Sequence, residues 1–177
     1  MAKYIKFLFY IAAAVFAFSV VEAASKQKFA ELKQEADISP TSIDTIRDKQ
    51  RQLACLTQNV YYEAGSEPAE GKIAVAQVVM NRVESGQFGN TPCQVIFQKN
   101  VMYEKVICQF SWACDKVLTR KPVRQDLWRE SHEAAKMVML EGFRLPNLKG
   151  ALYFHADYIN PNWNRKQKAQ IGRHIFY

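Results

Sequence analysis

An acidic residue on the apolar stripe of a helix constrains this chain more than any other feature. Leu53, Leu56 and Val60 recur at helical spacing. Glu63 follows on the same stripe, three residues after Val60 and seven after Leu56. Core positions rarely hold an ionised carboxylate without a partner. The pattern therefore predicts either a salt-bridged structural acid or a carboxyl that burial keeps protonated for proton transfer.

The residues on either side of this acid predict two helices joined by a sharp corner. The first helix is expected over residues 45–64, and Gly65 and Ser66 end it. Pro68 suits the first turn of the second helix, expected over residues 68–84, because an N–H has no intrahelical partner there. The acid is therefore expected at the end of a helix, directly before a turn.

The remainder of the chain changes from helical to alternating periodicity. A third helix is expected between Pro122 and Gly142. Residues 108–112 and 151–155 alternate as strands do, and residues 171–177 are expected to form a partner strand. The fold class predicted is α+β, mainly helical, with a small antiparallel sheet.

The first residues have the composition of an export signal. Two lysines precede an apolar run over residues 7–21, and small residues follow it. The run is short for a membrane span, so residues 1–24 are predicted to be a signal peptide, with an uncleaved membrane anchor as the alternative. A polar linker is expected over residues 25–50 and the functional domain over residues 51–177. This organisation predicts a periplasmic or secreted protein, held at the inner membrane only if residues 7–21 are retained.

The chain without its signal is basic. The full sequence has a net charge of +7, and removal of residues 1–23 leaves about +6. Outside the cytoplasm this charge favours an anionic cell-wall polymer or a membrane surface over nucleic acid, although a solvated basic surface explains it equally well. A basic patch near the C-terminus is interpreted as a solvated face rather than a nucleic-acid site; it comprises Arg165, Lys166, Lys168 and Arg173.

The cysteine count predicts disulfides. Four cysteines follow the signal, at positions 55, 93, 108 and 114. An even number in an exported chain favours two disulfides, and the three possible pairings stay open. The chain has no CxxC pair and no HExxH motif, so no metal site and no cofactor are expected.

Acid catalysis on a glycosidic bond is the chemistry that fits Glu63 best. A glycosidic oxygen leaves only when protonated, and a hydrophobic pocket can raise the pKa of a glutamic acid to about 6. A second carboxylate is usual in glycosidases. Glu67 is four residues on, but the corner breaks the helix there, so Glu67 and Glu70 are interpreted as first-turn acids of the second helix. Asp115 and Asp157 are weaker candidates, and a reaction with a single acid would need no partner.

Polar and aromatic side chains elsewhere could bind a sugar. The predicted substrate contacts are Asn81, Gln109, Ser111, Tyr153 and His155. Asn81 continues the line of Gln77 on the second helix and is expected either in a groove or at the solvent. Core packing of Tyr153 and a structural hydrogen bond for His155 are the alternatives. Two tryptophans could be stacking platforms, Trp112 and Trp163.

Several short motifs occur in order along the chain. They are Tyr62-Glu63-Ala64, Glu67-Pro68, Glu70-Gly71, Val79-Met80-Asn81-Arg82-Val83, Cys108-Gln109-Phe110-Ser111-Trp112 and Gly150-Ala151-Leu152-Tyr153-Phe154-His155. In these motifs the chain resembles the cell-wall hydrolases of the spore cortex-lytic enzyme (SleB) type, over residues 50–177. The resemblance implies a lysozyme-like domain, related to lytic transglycosylases, that acts on the glycan strands of peptidoglycan. It also implies that Glu63 is the catalytic glutamate.

The corner after Glu63 departs from the family pattern. The family usually has Glu-Ala-Arg-Gly-Glu here, whereas this chain has Glu63-Ala64-Gly65-Ser66-Glu67. The missing arginine would have placed a donor or a charge near the acid. The predicted activity is lytic transglycosylation at the bond between N-acetylmuramic acid and N-acetylglucosamine, by a monomer. A hydrolytic muramidase and a non-catalytic peptidoglycan-binding module are the alternatives.

Overall fold

A computed structural model describes residues 18–29, 31 and 40–177. Residues 18–29 are helical and exposed. Most of the predicted signal, including residues 7–17, lies outside the described residues. Within the described part of the chain, no helix is both long and apolar enough to cross a membrane. Residues 47–177 form one compact unit, and the described residues before Arg47 group separately from it.

The two predicted helices and their corner are present. Helix α1 covers Pro40–Ala64 and helix α2 covers Ala69–Ser85. Helix α1 begins five residues before its predicted start, at a proline whose fixed φ suits a first turn. Helix α2 ends at Gly86, which adopts the left-handed conformation with φ of 67° and donates its N–H to the Val83 carbonyl.

Helix α2 lies at the centre of the domain. One side packs Ile73, Ala76 and Val79 against residues of α1 and of the helix Gln125–Met139, here α4. The opposite side packs Ala74, Val75 and Val78 in a second apolar cluster. A helix that is apolar on opposite sides is a buried helix, and eleven of its residues are buried.

The segment between α2 and α4 consists of short helices, strands and turns that contain three of the four disulfide-bonded cysteines. It contains helix α3 (Pro92–Ile96), strands β1 (Lys99–Met102) and β2 (Lys105–Cys108), and two 3-10 turns, Ser111–Cys114 and Leu118–Arg120. Cys55 pairs with Cys93 and Cys108 with Cys114, which confirms two disulfides and fixes the pairing. The expected strand over residues 108–112 is wrong beyond Cys108, where β2 ends, and a 3-10 turn begins at Ser111.

The C-terminal sheet has three short antiparallel strands. They are β3 (Phe154–Ala156), β4 (Ala169–Ile171) and β5 (His174–Phe176), in the order β3-β5-β4. The strand predicted over residues 171–177 is confined to β5, because Ile171 ends β4 and Gly172, with a φ of 56°, reverses the chain between the two strands. A 3-10 turn, Pro146–Leu148, precedes the sheet. The α+β class, mainly helical with small antiparallel sheets, is confirmed.

Candidate active site

Glu63 lies in the last turn of α1 and lines a cleft of about 380 Å³. The other lining residues come from the end of α1, from the corner and from the approach to α4; they are Tyr61, Tyr62, Ala64, Gly65, Ser66, Glu67, Leu118, Lys121, Pro122, Arg124 and Leu127. The Glu63 side chain is half-buried, and this burial raises its pKa to about 7, because the charged form loses solvation. The positive charge of Arg82 acts in the opposite direction and limits the rise. Near neutral pH a large share of Glu63 is therefore protonated.

Glu67 lines the same cleft but is held by the C-terminal sheet. Its Oε2 accepts the Arg173 backbone N–H at 3.0 Å, in the turn between β4 and β5. A Cβ atom at Gly172 would collide with that oxygen, so the carboxylate and the turn fit only with glycine there. Glu70 lies in the first turn of α2, as predicted, whereas Glu67 precedes the helix, and its prediction as a first-turn acid is wrong.

The two weaker acidic candidates have structural partners. Asp115 Oδ1 accepts the backbone N–H groups of Val117 and Leu118, both at 2.9 Å. Asp157 accepts from the Arg173 guanidinium at 3.1 Å. These bonds satisfy both carboxylates as turn and surface contacts, which leaves Glu63 as the carboxyl suited to proton transfer.

Arg82 is the residue of the site that the sequence analysis missed. It is 4% exposed, and its Nε donates to the Leu152 carbonyl at 2.8 Å. Its guanidinium carbon lies 4.9 Å from the ring centroid of Phe88 and 5.3 Å from that of Phe110. These ring faces stabilise a cation whose Nη1 has no hydrogen-bond partner among the described residues.

The Arg82 charge is coupled to Glu63. Burial lowers the pKa of the guanidinium to about 10, while Tyr153 and Glu63 act to raise it. Arg82 is therefore a cation at neutral pH. The signal for it was present in the sequence, as a basic residue in a helix whose other residues from Ile73 to Val83 are mostly apolar.

The corner after Glu63 leaves no room for a side chain at position 65 in its present conformation. The Gly65 N–H donates to the Tyr61 carbonyl at 3.1 Å. A Cβ atom at position 65 would collide with that same carbonyl oxygen, so a side chain fits there only if the backbone moves. The cation that acts on Glu63 is Arg82 of helix α2.

Asn81 is buried and not at the solvent, and with Gln77 it lines a concave pocket of about 390 Å³ that does not include Glu63. It is 6% exposed, and its Nδ2 donates to the carbonyls of Leu148 and Ala151, at 3.0 and 2.9 Å. Gln77, one turn earlier, both donates to and accepts from the backbone of Leu145. Both donor hydrogens of the Asn81 amide hold the segment before β3, which gives this residue a structural role, and substrate binding by Asn81 stays a prediction.

Asn81→Ala is expected to lower the free energy of unfolding by about 2 to 3 kcal/mol, because two buried carbonyls lose their donors. Urea denaturation measures this. Asn100→Ala, at an exposed position of β1, is the matched control and is expected to change stability by less than about 0.5 kcal/mol. Equal midpoints for the two variants would contradict the structural role.

Tyr153 and His155 belong to one aromatic cluster. Trp163 contacts both rings, with centroid distances of 5.9 and 5.5 Å, and is 40% exposed. His155 Nε2 lies 3.0 Å from the Tyr177 hydroxyl. Trp112 is 3% exposed and donates to Asn59, so its prediction as a sugar platform is wrong.

Gln109 and Ser111 lie on the segment that leads from β2 to the first 3-10 turn. The Gln109 side chain is half-buried and the Ser111 side chain is exposed. Sugar contacts by these two residues, and by Tyr153 and His155, stay predictions.

Solved structures with the same fold define the class of this domain. The catalytic domain of the Bacillus cereus SleB protein superposes with a TM-score of 0.53 at 28% identity, over 72% of this chain and 89% of that one. The catalytic domain of the germination-specific lytic transglycosylase SleB from Bacillus anthracis gives 0.55 at 30% identity, over 72% and 93%. The fold is therefore that of the SleB catalytic domains.

The sequence comparisons identify the family. The model of the family described as Cell Wall Hydrolase matches residues 66–177. The spore cortex-lytic enzyme of Oceanobacillus iheyensis is 30% identical over 131 residues, 72% of this chain and 41% of that protein. The spore cortex-lytic enzyme of Bacillus subtilis is 32% identical over 126 residues, 70% of this chain and 36% of that protein. The chain belongs to the cell wall hydrolase family of enzymes, and it spans less than half the length of these curated relatives.

Proposed function

We propose that this chain cleaves the glycan strands of peptidoglycan as a lytic transglycosylase, at the bond between N-acetylmuramic acid and N-acetylglucosamine. The observation that carries the proposal is the Glu63 carboxyl, half-buried in the cleft with a pKa raised to about 7. Such a group holds its proton at neutral pH and can give it to a leaving oxygen. The family and the SleB-type fold support peptidoglycan as the substrate.

The proposed reaction uses one residue as acid and then as base. Protonated Glu63 donates its proton to the bridging oxygen, and the bond between that oxygen and C1 of the muramoyl sugar breaks. The Glu63 carboxylate then takes the proton of the muramoyl 6-hydroxyl, whose oxygen bonds to C1 and closes a 1,6-anhydro ring. The carboxylate that exists between these steps is stabilised by the positive charge of Arg82.

The hydrogen bond that Glu67 already accepts favours this route over a reaction with two carboxylates. Its Oε2 already accepts the Arg173 N–H, so a role for Glu67 as base would compete with that bond. In the hydrolytic alternative, Glu63 activates water, and the product carries a reducing end.

The proposal also includes the location and state of the protein: it is exported, is a monomer, and acts in the periplasm or outside the cell.

Mass spectrometry of the released fragments tests the reaction. Purified peptidoglycan digested with the wild-type protein is expected to yield muropeptides with 1,6-anhydro ends, which are 18 mass units lighter than the corresponding reducing ends. If the released fragments carry only reducing ends, the reaction is hydrolysis and transglycosylation is contradicted. Binding to the wall without any release would leave only the non-catalytic alternative.

A further inference from the structure

A second concave site lies beside the aromatic cluster. It has a volume of about 360 Å³, and its lining residues are Gly150, Leu152, Tyr153, Asn164, Arg165, Lys166, Lys168 and Tyr177. We call it the C-terminal basic groove. Three of the eight side chains are cationic and none is acidic, so the groove suits an anion.

The cations of this groove, like the exposed Lys116 and Arg129 but unlike several other basic residues, have no carboxylate partner among the described residues. Arg51, Arg144 and Arg173, for example, each lie within 4.0 Å of a carboxylate. Among the described residues, no carboxylate forms an ion pair with Arg165, Lys166 or Lys168. Cations held close together repel one another, and a bound anion relieves that repulsion.

Two of the cations are positioned by the domain. The Arg165 guanidinium carbon lies 3.7 Å from the ring centroid of Tyr153, a cation–π contact. Lys168 Nζ donates to the Lys149 carbonyl at 3.0 Å. The groove is therefore a built feature of this surface, although its basic side chains are exposed.

Tyr153 connects this groove to the acid. Its ring lies beneath Arg165 and 6.1 Å from the ring of Phe88, over which the Arg82 guanidinium lies. Arg82 also donates to the carbonyl of Leu152, which lines the groove, and its charge acts on Glu63. One side chain thus belongs both to the groove and to the surroundings of Arg82.

We propose that the C-terminal basic groove binds carboxylates of the peptide that branches from the muramic acid next to the cleaved bond. This inference rests on the proposed function. The sugars of a peptide-bearing strand are uncharged, because the lactyl carboxyl of muramic acid is amide-linked, so the free carboxylates belong to the peptide. The groove therefore selects peptide-bearing strands through charge, while the cleft acts on the glycan.

The test compares two substrates that differ only in charge. Peptidoglycan freed of phosphate polymers is used as isolated and after conversion of its peptide carboxylates to amides. The wild-type protein is expected to cleave the native strands about tenfold faster at low salt, and 0.5 M NaCl is expected to remove most of the difference. The double variant Arg165→Gln/Lys166→Gln is expected to lose the difference. Equal rates of the wild type on the two substrates, or a preference that survives in the variant, would overturn the proposal.

Matched variants separate charge from structure. Arg165→Lys/Lys166→Arg keeps both charges and is expected to keep the preference. Lys116→Gln/Arg129→Gln removes two exposed charges elsewhere and is also expected to keep it. Sedimentation of Glu63→Gln with the two substrates measures the groove without cleavage. If neither the wild type nor any variant cleaves, but Glu63→Gln still binds native strands better than amidated ones, the inference about the groove is supported and the proposed function is contradicted.

Discussion

Glu63→Gln is expected to lower the rate of peptidoglycan cleavage by about 10²- to 10⁴-fold, the range that a positioned proton donor contributes. Glutamine has nearly the same shape and can still bind a sugar oxygen, but it has no proton to give. A zymogram with purified peptidoglycan, followed by quantitative release of muropeptides, measures the loss. Glu70→Gln, in the first turn of α2 and outside the cleft lining, is the matched control.

The same substitution has a second readout in stability. A glutamic acid titrates near 4.5 in the unfolded chain, and burial raises the pKa of Glu63 to about 7 in the folded protein. Between these values the folded state binds a proton that the unfolded state has released, so stability from this group is lost as the pH rises through about 7. Glu63→Gln is therefore expected to be more stable than the wild type above pH 7, by about 1 to 3 kcal/mol. A variant that is inactive and also unstable at pH 8 would instead indicate a structural acid.

Local periodicity predicted the elements whose apolar residues repeat. Helix α2 was expected over residues 68–84 and covers Ala69–Ser85. Its ends were predictable because residues that stop helices flank it, Gly65 and Ser66 before it and Gly86 after it. The start of α1 was missed, since the polar residues 40–50 have no apolar period to reveal a helix. The division of the last strand was also missed. That turn packs against Glu67, which lies about a hundred residues earlier in the chain. The Glu67 carboxylate leaves no room for a side chain at position 172.

The site illustrates the same limit at the level of single side chains. Glu63 was selected because its place on the stripe is a local property, and the structure finds it half-buried in a cleft. The buried hydrogen bonds of Asn81 were not predicted, because polar side chains usually face water. Asn81 is buried because a segment almost seventy residues later in the chain covers α2 and needs its donors. Arg82 was missed because its role depends on the rings of Phe88 and Phe110 that it contacts and on its electrostatic effect on Glu63. Only the fold brings these residues together.

Arg82→Met is expected to lower kcat/KM by about tenfold to a hundredfold and to move the basic limb of the pH profile upward. The limb reports protonated Glu63, so in the wild type the activity should fall as the pH rises through about 7. Without the Arg82 charge, only desolvation acts strongly on Glu63, and its pKa rises further. The rate falls because the carboxylate formed on proton donation loses its stabilising cation.

The position of the limb distinguishes this electrostatic role from a structural one. Arg82 also holds the Leu152 carbonyl, so methionine at this position could lower activity merely by loosening the segment before β3. That effect would reduce the rate and leave the limb near pH 7. Arg82→Lys keeps the cation but not the guanidinium, and it is expected to return the limb toward the wild-type position even if the rate stays low. A limb that does not move in Arg82→Met, measured at constant ionic strength on protein that melts cooperatively, would show that Arg82 positions the backbone and leaves the acidity of Glu63 to burial alone.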